Sequence, residues 1–247
     1  MSTNSTQLTG GEWINYTPGQ AFTIGEGKSG YHYLFIKQVT DNVGNLSTGS
    51  SNVVEGTTYH GGMRLGFDNT PPTAGTMTMK LGNSEGTTYT NDTYTNQNVY
   101  IEQVQGADEL SGHNKTTYSV RGAITLEDQT EATTLTETGV YTITVTTADY
   151  MGNTSTNTYT VKIDKILPTL TVNPTSGEYA KTREVTITVT DEGGSNLNNN
   201  NSYQYYLSSN NTTLSGGEWI NYTNGRSIYN RTRKNRNILS IRKENNR

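Results

Sequence analysis

The 247-residue chain has no cysteine, three histidines, three phenylalanines, two tryptophans and five prolines. Without cysteine no disulfide can staple a small domain, so every folded module must be held by its own apolar core. The three histidines are scattered, His32 in an apolar stretch and His60 and His113 in Gly/Asn-rich ones, which gives nucleophilic catalysis little to work with. The acidic pairs Asp108-Glu109, Glu127-Asp128 and Asp191-Glu192 are adjacent residues whose carboxylates point apart into solvent, so no glycosidase pair is indicated. Nothing approaches the roughly 18 apolar residues of a membrane-spanning helix. The opening MSTNSTQLTG lacks the basic start and apolar run of a secretory leader.

Thr, Asn, Ser and Gly fill much of the chain, together with 17 tyrosines, and hydrophobic residues make up 30%. Thr and Tyr suit half-buried strands while Gly and Asn suit turns, so the composition predicts an all-β fold.

The organising feature is a repeat. GGEWINYT at residues 10–17 returns at 216–223, an offset of 206, and the match extends backwards through Leu8 with Leu214 and Thr6 with Thr212. A repeat of this length implies an array of modules rather than one large domain. The expected division is residues 1–70 as the second part of one module, 71–166 as a complete module, and 167–225 as the first part of another.

Within 71–166 the apolar alternation is plain. Met77, Met79 and Leu81 mark one strand and Val99 with Ile101 a second. Residues 117–120 make a third, and Tyr141, Ile143 and Val145 alternate with threonines before Tyr159, Val161 and Ile163. Alternation of this kind gives each strand one buried face. The segments 41–45 and 149–153 read as turns, with Asp41 or Asp149 opening them, Gly44 or Gly152 supplying the permissive backbone, and Asn45 or Asn153 closing them. Leu135, Gly139 and Tyr141 carry the spacing of a tyrosine corner, in which the phenol hydrogen-bonds back to the chain upstream; in the first module the corresponding aromatic position is His32. Residues 54–62 read as a loop before a short strand ending near Phe67, and Trp13 and Trp219 are expected to pack in their cores.

Two further motifs carry a resemblance. Asp-x-x-Gly-Asn occurs at 149–153 and 41–45, Ile-Asp followed by Pro-Thr occurs at Asp164 with Pro168-Thr169, and Asp68 precedes Pro72-Thr73. Asp-x-x-Ser-Gly is present at Asp108, Ser111 and Gly112, whereas Asn196 follows Ser195 in the third module. Up to about residue 225 the chain resembles bacterial immunoglobulin-like repeats of large surface proteins. That resemblance implies tandem β-sandwiches serving as non-catalytic spacers of an exported adhesin-type protein, extracellular or at the cell surface, with neighbouring repeats as partners. The alternative is a carbohydrate-binding accessory module of an extracellular enzyme, with Trp13, Tyr16, Trp219 and Tyr222 as candidate sugar-stacking aromatics. Calcium is the one cofactor with candidate ligands: Asp149, Asp164, Asp41 and Asp68 offer hard oxygens near module ends. Asp at the start of a turn also accepts local backbone N–H bonds, which accounts for Asp41 and Asp149 without a metal.

The formal charge of −4 is uneven, because residues 226–247 contain eight basic residues and one acid, Glu244, leaving −11 on the rest. An acidic body does not attract nucleic acid. At the 206-residue offset Ile228 corresponds to Phe22, and dropping one base from AT-rich codons for Ile228-Tyr229-Asn230-Arg231 yields Phe-Thr-Ile-Gly, the residues at 22–25. The tail 226–247 is therefore expected to be a frameshift product, not a nucleic-acid-binding arm. The modules at the two ends are complementary parts of one module type, which predicts head-to-tail self-association through exposed sheet edges.

Overall fold

A computed structural model describes residues 1–5, 8, 11–48, 51–54, 57–198, 203–230 and 239–240. No helix occurs among them and the strands fall into five sheets, so the composition-based expectation of an all-β chain holds.

The first module contains β1 (Gly30–Lys37), β2 (Ser51–Val54) and β3 (Thr57–Phe67). They form one antiparallel sheet in the order β1-β3-β2. The segment expected to be a loop at 54–62 is mostly strand. Its glycines lower strand propensity, but the ladder to β1 runs from Gly30 opposite Phe67 to Lys37 opposite Tyr59, with an irregularity at Leu34/Phe35 facing Gly61. Pairing of the backbone overrides the weak local preference.

The middle module has eight strands: β4 (Thr76–Leu81), β5 (Tyr94–Thr95), β6 (Val99–Val104), β7 (His113–Arg121), β8 (Leu126–Gln129), β9 (Thr133–Leu135), β10 (Gly139–Asp149) and β11 (Thr154–Ile163). One sheet runs β5-β11-β10-β7-β8 and the other β4-β6-β9. All neighbours are antiparallel except β5, which lies parallel to β11. The inward residues of both sheets meet in a single core built from Met77, Met79, Val99, Ile101 and Leu135 on one side and Tyr118, Val120, Tyr141, Ile143, Val145, Val161 and Ile163 on the other. Most of these have no exposed surface, and each large side chain so buried contributes about 1.5–3 kcal/mol. The two-sheet arrangement follows from the period-2 pattern, since every threonine between the apolar residues of β10 points the other way.

The third module has β12 (Thr169–Asn173), β13 (Glu184–Thr190), β14 (Gln204–Tyr206), β15 (Trp219–Asn221) and β16 (Ser227–Asn230), followed by β17 (Leu239–Ser240). Its sheets are β12-β13-β16-β17 and the hairpin β14-β15. The tail expected to be non-native thus contributes β16, whose Ile228 is buried at the position facing Val185. Residues 231–238 and 241–247 lie outside the described residues.

Candidate functional site

The chemistry of the chain is concentrated where one module meets the next. Each turn of the Asp-x-x-Gly-Asn type is closed by its own side chains. In the middle module Asp149 Oδ1 accepts the N–H groups of Met151 (2.8 Å) and Asn153 (2.9 Å), and Oδ2 accepts Asn153 Nδ2 at 2.7 Å. In the first module Asp41 does the same with Val43 (3.0 Å), Asn45 N (2.9 Å) and Asn45 Nδ2 (2.8 Å). Gly152 and Gly44 have φ of 89° and 90°, a left-handed conformation that costs an L-residue with a Cβ roughly 1–2 kcal/mol. The two turns are copies, but Asp149 is fully buried while Asp41 is exposed.

The segment that follows β3 reaches the Asp149 turn. Asp68, one residue beyond β3, accepts the Ser111 N–H at 3.0 Å from the loop between β6 and β7, and its backbone carbonyl accepts Asn153 Nδ2 at 3.1 Å. Asp108 closes that loop by accepting the N–H groups of Leu110 (3.0 Å) and Gly112 (2.7 Å), with Ser111 Oγ at 3.5 Å. Asp68, Asp108 and Asp149 thereby place carboxylate oxygens within 4.8 Å of one another. Hydrogen bonding from the Ser111 hydroxyl first, then from the Thr70 N–H, holds the Asp68 carboxyl below the usual range.

The next junction repeats this contact. Asp164, one residue beyond β11, accepts the Ser195 N–H at 3.0 Å, and Ser195 Oγ lies 3.4 Å from Asp191 Oδ2. The Ser195 side chain likewise lowers the Asp164 pKa. Gly193 belongs to this fit, because a Cβ there would lie 1.7 Å from Asp164 Oδ1. Ser195 thus plays the part of Ser111 although Asn196 stands where the sequence pattern expects Gly.

Of the four aspartates singled out as calcium ligands, the structure brings two together, Asp68 and Asp149, and adds Asp108. Asp164 lies at the second junction, against Ser195, and Asp41 is in an exposed turn bonded only to its own residues. The three clustered carboxylates could supply hard oxygens to a calcium ion at the seam, and they already accept six backbone N–H bonds, with Asp149 taking two of its own turn, Asp108 two of its own loop, and Asp68 those of Thr70 and Ser111. Hydrogen-bond donation of this kind stabilises the charged carboxylates without a metal. Asp108 was visible in the sequence as a loop motif, but nothing in that motif tied it to the junction.

Tyr141 is fully buried and donates to the Glu137 carbonyl at 2.6 Å, and Leu135 beneath it is fully buried too. A Cβ on Gly139 would approach the Ala123 Cβ to 2.8 Å. His32 takes the corresponding place in the first module, edge-on to Phe67 at 5.8 Å. Trp13 and Trp219, expected in cores, are instead 47% and 58% exposed: Trp13 lies outside the strands and Trp219 is on the two-stranded sheet β14-β15, and neither is enclosed between two sheets. Trp13 lies 5.3 Å from Tyr59, with the Lys37 ammonium 4.8 Å from its ring centre, and Trp219 stands edge-on to Tyr206 at 5.6 Å. The histidines are separated among three settings: His60 Nε2 meets Ser47 Oγ at 2.8 Å and His113 Nε2 meets Thr116 Oγ1 at 2.9 Å, while His32 is against Phe67.

No family model matches the chain, and neither a curated protein nor a solved structure matches it.

Proposed function

We propose that the chain is a non-catalytic spacer, a run of immunoglobulin-like sandwich modules from an exported bacterial surface protein. The observation that carries this reading is the repeated seam. Asp68 with Ser111 and Asp164 with Ser195 make the same contact at successive junctions, and a contact repeated in this way sets the angle between neighbours. In the middle module the order β5-β11-β10-β7-β8 against β4-β6-β9, with a parallel β5-β11 edge, and the Tyr141 corner both support the immunoglobulin-like assignment. A spacer needs fixed relative orientation more than it needs a pocket, and the repeated hydrogen bonds supply orientation. The competing reading, a carbohydrate-binding module, draws support from the exposure of Trp13 and Trp219 at equivalent positions of the repeat.

The test is a glycan array probed with the full chain, alongside amide hydrogen exchange at the seams. A spacer binds no glycan, and its Ser111 and Ser195 amides exchange slowly because each is donated to an aspartate of the neighbouring module. Glycan binding that disappears in Trp13→Ala, with Ser111 and Ser195 exchanging as fast as open-loop amides, would overturn the proposal in favour of carbohydrate recognition.

A further inference from the structure

The turn that leads into β16 has a twin at the 206-residue offset. Thr17 O accepts the Gln20 N–H and Thr223 O accepts the Arg226 N–H, both at 3.1 Å. The third residue of each turn is a glycine, with φ of 78° at Gly19 and 73° at Gly225. That positive φ marks the type II form, which accommodates proline at its second position. One copy has Pro18 there and the other Asn224. The turn itself therefore does not require asparagine, and Asn224-Gly225 is the one Asn-Gly pair in the chain.

The side chain of Asn224 is engaged on β13. Its Oδ1 accepts the Val189 N–H at 2.7 Å and its Nδ2 donates to the Val189 carbonyl at 2.8 Å. The carboxamide thus satisfies both backbone groups of one residue, as a neighbouring strand would. The next residue adds a third bond, from Gly225 N to Ile187 O at 2.9 Å. Two residues further on the regular ladder begins, with Ser227 opposite Thr186 and Ile228 opposite Val185. Asn224 and Gly225 together latch the far end of β13 to the turn ahead of β16.

We propose that Asn224-Gly225 is a self-modification site, closed while this latch holds and open when it releases, at which solvent water converts the asparagine to an aspartyl or isoaspartyl residue. The Gly225 nitrogen attacks Cγ of Asn224 and forms a C–N bond; its proton passes to solvent, and the side-chain nitrogen takes up a proton and departs as ammonia. Water then adds to the five-membered imide and breaks one of its two C–N bonds, giving aspartate or isoaspartate with no change of oxidation state. The pair suits this chemistry, since asparagine is labile and glycine has no Cβ to crowd the attacking nitrogen. In the latched state both reactants are tied, the N–H to Ile187 and the carboxamide to Val189. Gly225 itself is exposed, and a Cβ built on it would meet nothing within 4 Å, so water is at hand once the two groups are freed.

The product does not re-form the latch. An aspartate at 224 keeps an acceptor for the Val189 N–H but has lost the Nδ2 donor, and it sets a carboxylate against the Val189 carbonyl, which is left unpaired. An isoaspartate also lengthens the backbone of the turn by one carbon. The apolar residues of β13 are only half-buried, so this end of the third module opens more readily than the closed core of the middle one. Each opening exposes the site, and the loss of ammonia to solvent makes the step one-way. The modification therefore marks third modules that have opened and holds them loosened.

The experiment is a time course on the full chain at neutral pH, in buffer and across a urea series. Peptide mapping separates asparagine, aspartate and isoaspartate at 224, and residue-resolved amide exchange runs alongside. Conversion is expected to be slow in the native chain and to accelerate with urea in step with exchange of the Gly225 amide, before the Ile143 amide of the middle core exchanges. Asn224→Asp, which reproduces one product, is expected to raise exchange at Val189 and Gly225 about tenfold, the effect of one lost hydrogen bond, with Ile143 unchanged. Conversion as fast in the native chain as in full denaturant, or out of step with Gly225 exchange, overturns the proposal. So does a residue 224 that stays asparagine even in full denaturant, or an Asn224→Asp chain whose Val189 and Gly225 amides exchange as in the wild type.

Discussion

The middle and third modules are written in the same alphabet and reach different states. In the middle module Ile143, Val145 and Val161 alternate with threonines and are fully buried, whereas Val185, Ile187 and Val189 of β13 alternate with threonines just as regularly and are only half-buried. Strand formation follows from the local pattern in both. Burial does not, because an alternating strand specifies which face is apolar and leaves the covering sheet to the rest of the chain. In the middle module β10 has the sheet β4-β6-β9 to face; in the third, β12 and β13 have, among the described residues, only the hairpin β14-β15. Alternation is thus a statement of demand, and the core is where the demand is met.

The two modules are expected to differ most in what a core truncation costs. Ile143→Ala in the middle module is expected to cost about 2–5 kcal/mol, while Ile187→Ala in the third is expected to cost well under half as much, since its side chain is already partly wetted. Residue-resolved hydrogen exchange in denaturant separates the two modules and reads both losses. Equal costs would mean that the third module has a closed core of its own.

Next in size is Gly152→Ala. The left-handed backbone at that turn penalises any Cβ by roughly 1–2 kcal/mol, and the matching change Gly44→Ala should destabilise the first module by a similar amount because the strain is local to each turn. Thermal melts followed by module-specific amide signals check this.

Tyr141→Phe removes the bond to the Glu137 carbonyl and leaves the ring in place. The expected loss is about 0.5–1.5 kcal/mol, seen as a lower denaturation midpoint with an unchanged slope. The first module has His32 there, so His32→Phe should have no comparable effect through that route.

The smallest effect concerns the seams. Asp68 and Asp164 have lowered pKa values in the folded chain, so their contribution is complete above the unfolded value near 3.8 and is lost as pH falls below it through the folded values. Protection of the Ser111 and Ser195 amides is expected to fall on acidification below about pH 4 before the middle core unfolds. Calcium added at neutral pH provides a companion measurement: a raised melting temperature that vanishes in Asp108→Asn would place the ion among Asp68, Asp108 and Asp149, and an unchanged melt would leave the seam to hydrogen bonds alone.

Much of this architecture was legible in the residues themselves. The strands of the middle module followed from alternation, and the corner followed from the spacing of Leu135, Gly139 and Tyr141. β3 was not legible beyond its end, because Gly61, Gly62 and Gly66 mimic loop composition and its existence depends on pairing with β1. The tryptophans were misplaced for a related reason: an indole is drawn into a core only where two sheets enclose one, and neither end module supplies that around Trp13 or Trp219. The acidic cluster was half legible. Turn chemistry singles out Asp149 and its copy Asp41, but the approach of Asp68 and Asp108 is a tertiary event across a module boundary, and no local spacing encodes it.

The parallel edge between β5 and β11 bears on tension. A pull along the chain drags the residues ahead of β5 one way and Asp164, at the end of β11, the other. Parallel neighbours drawn from opposite ends slide past each other, so their bonds share the load instead of opening one at a time. The strand pair itself is short, Tyr94 with Lys162 and Thr95 with Ile163, but bonds from Asp92 N to Thr160 O, Lys162 N to Tyr89 Oη and Asp164 N to Thr95 O lie in the same band, with the Lys162–Asp92 ion pair beside them. Once β4 has peeled from β6, this band is what resists, and the middle module yields by shear rather than by unzipping.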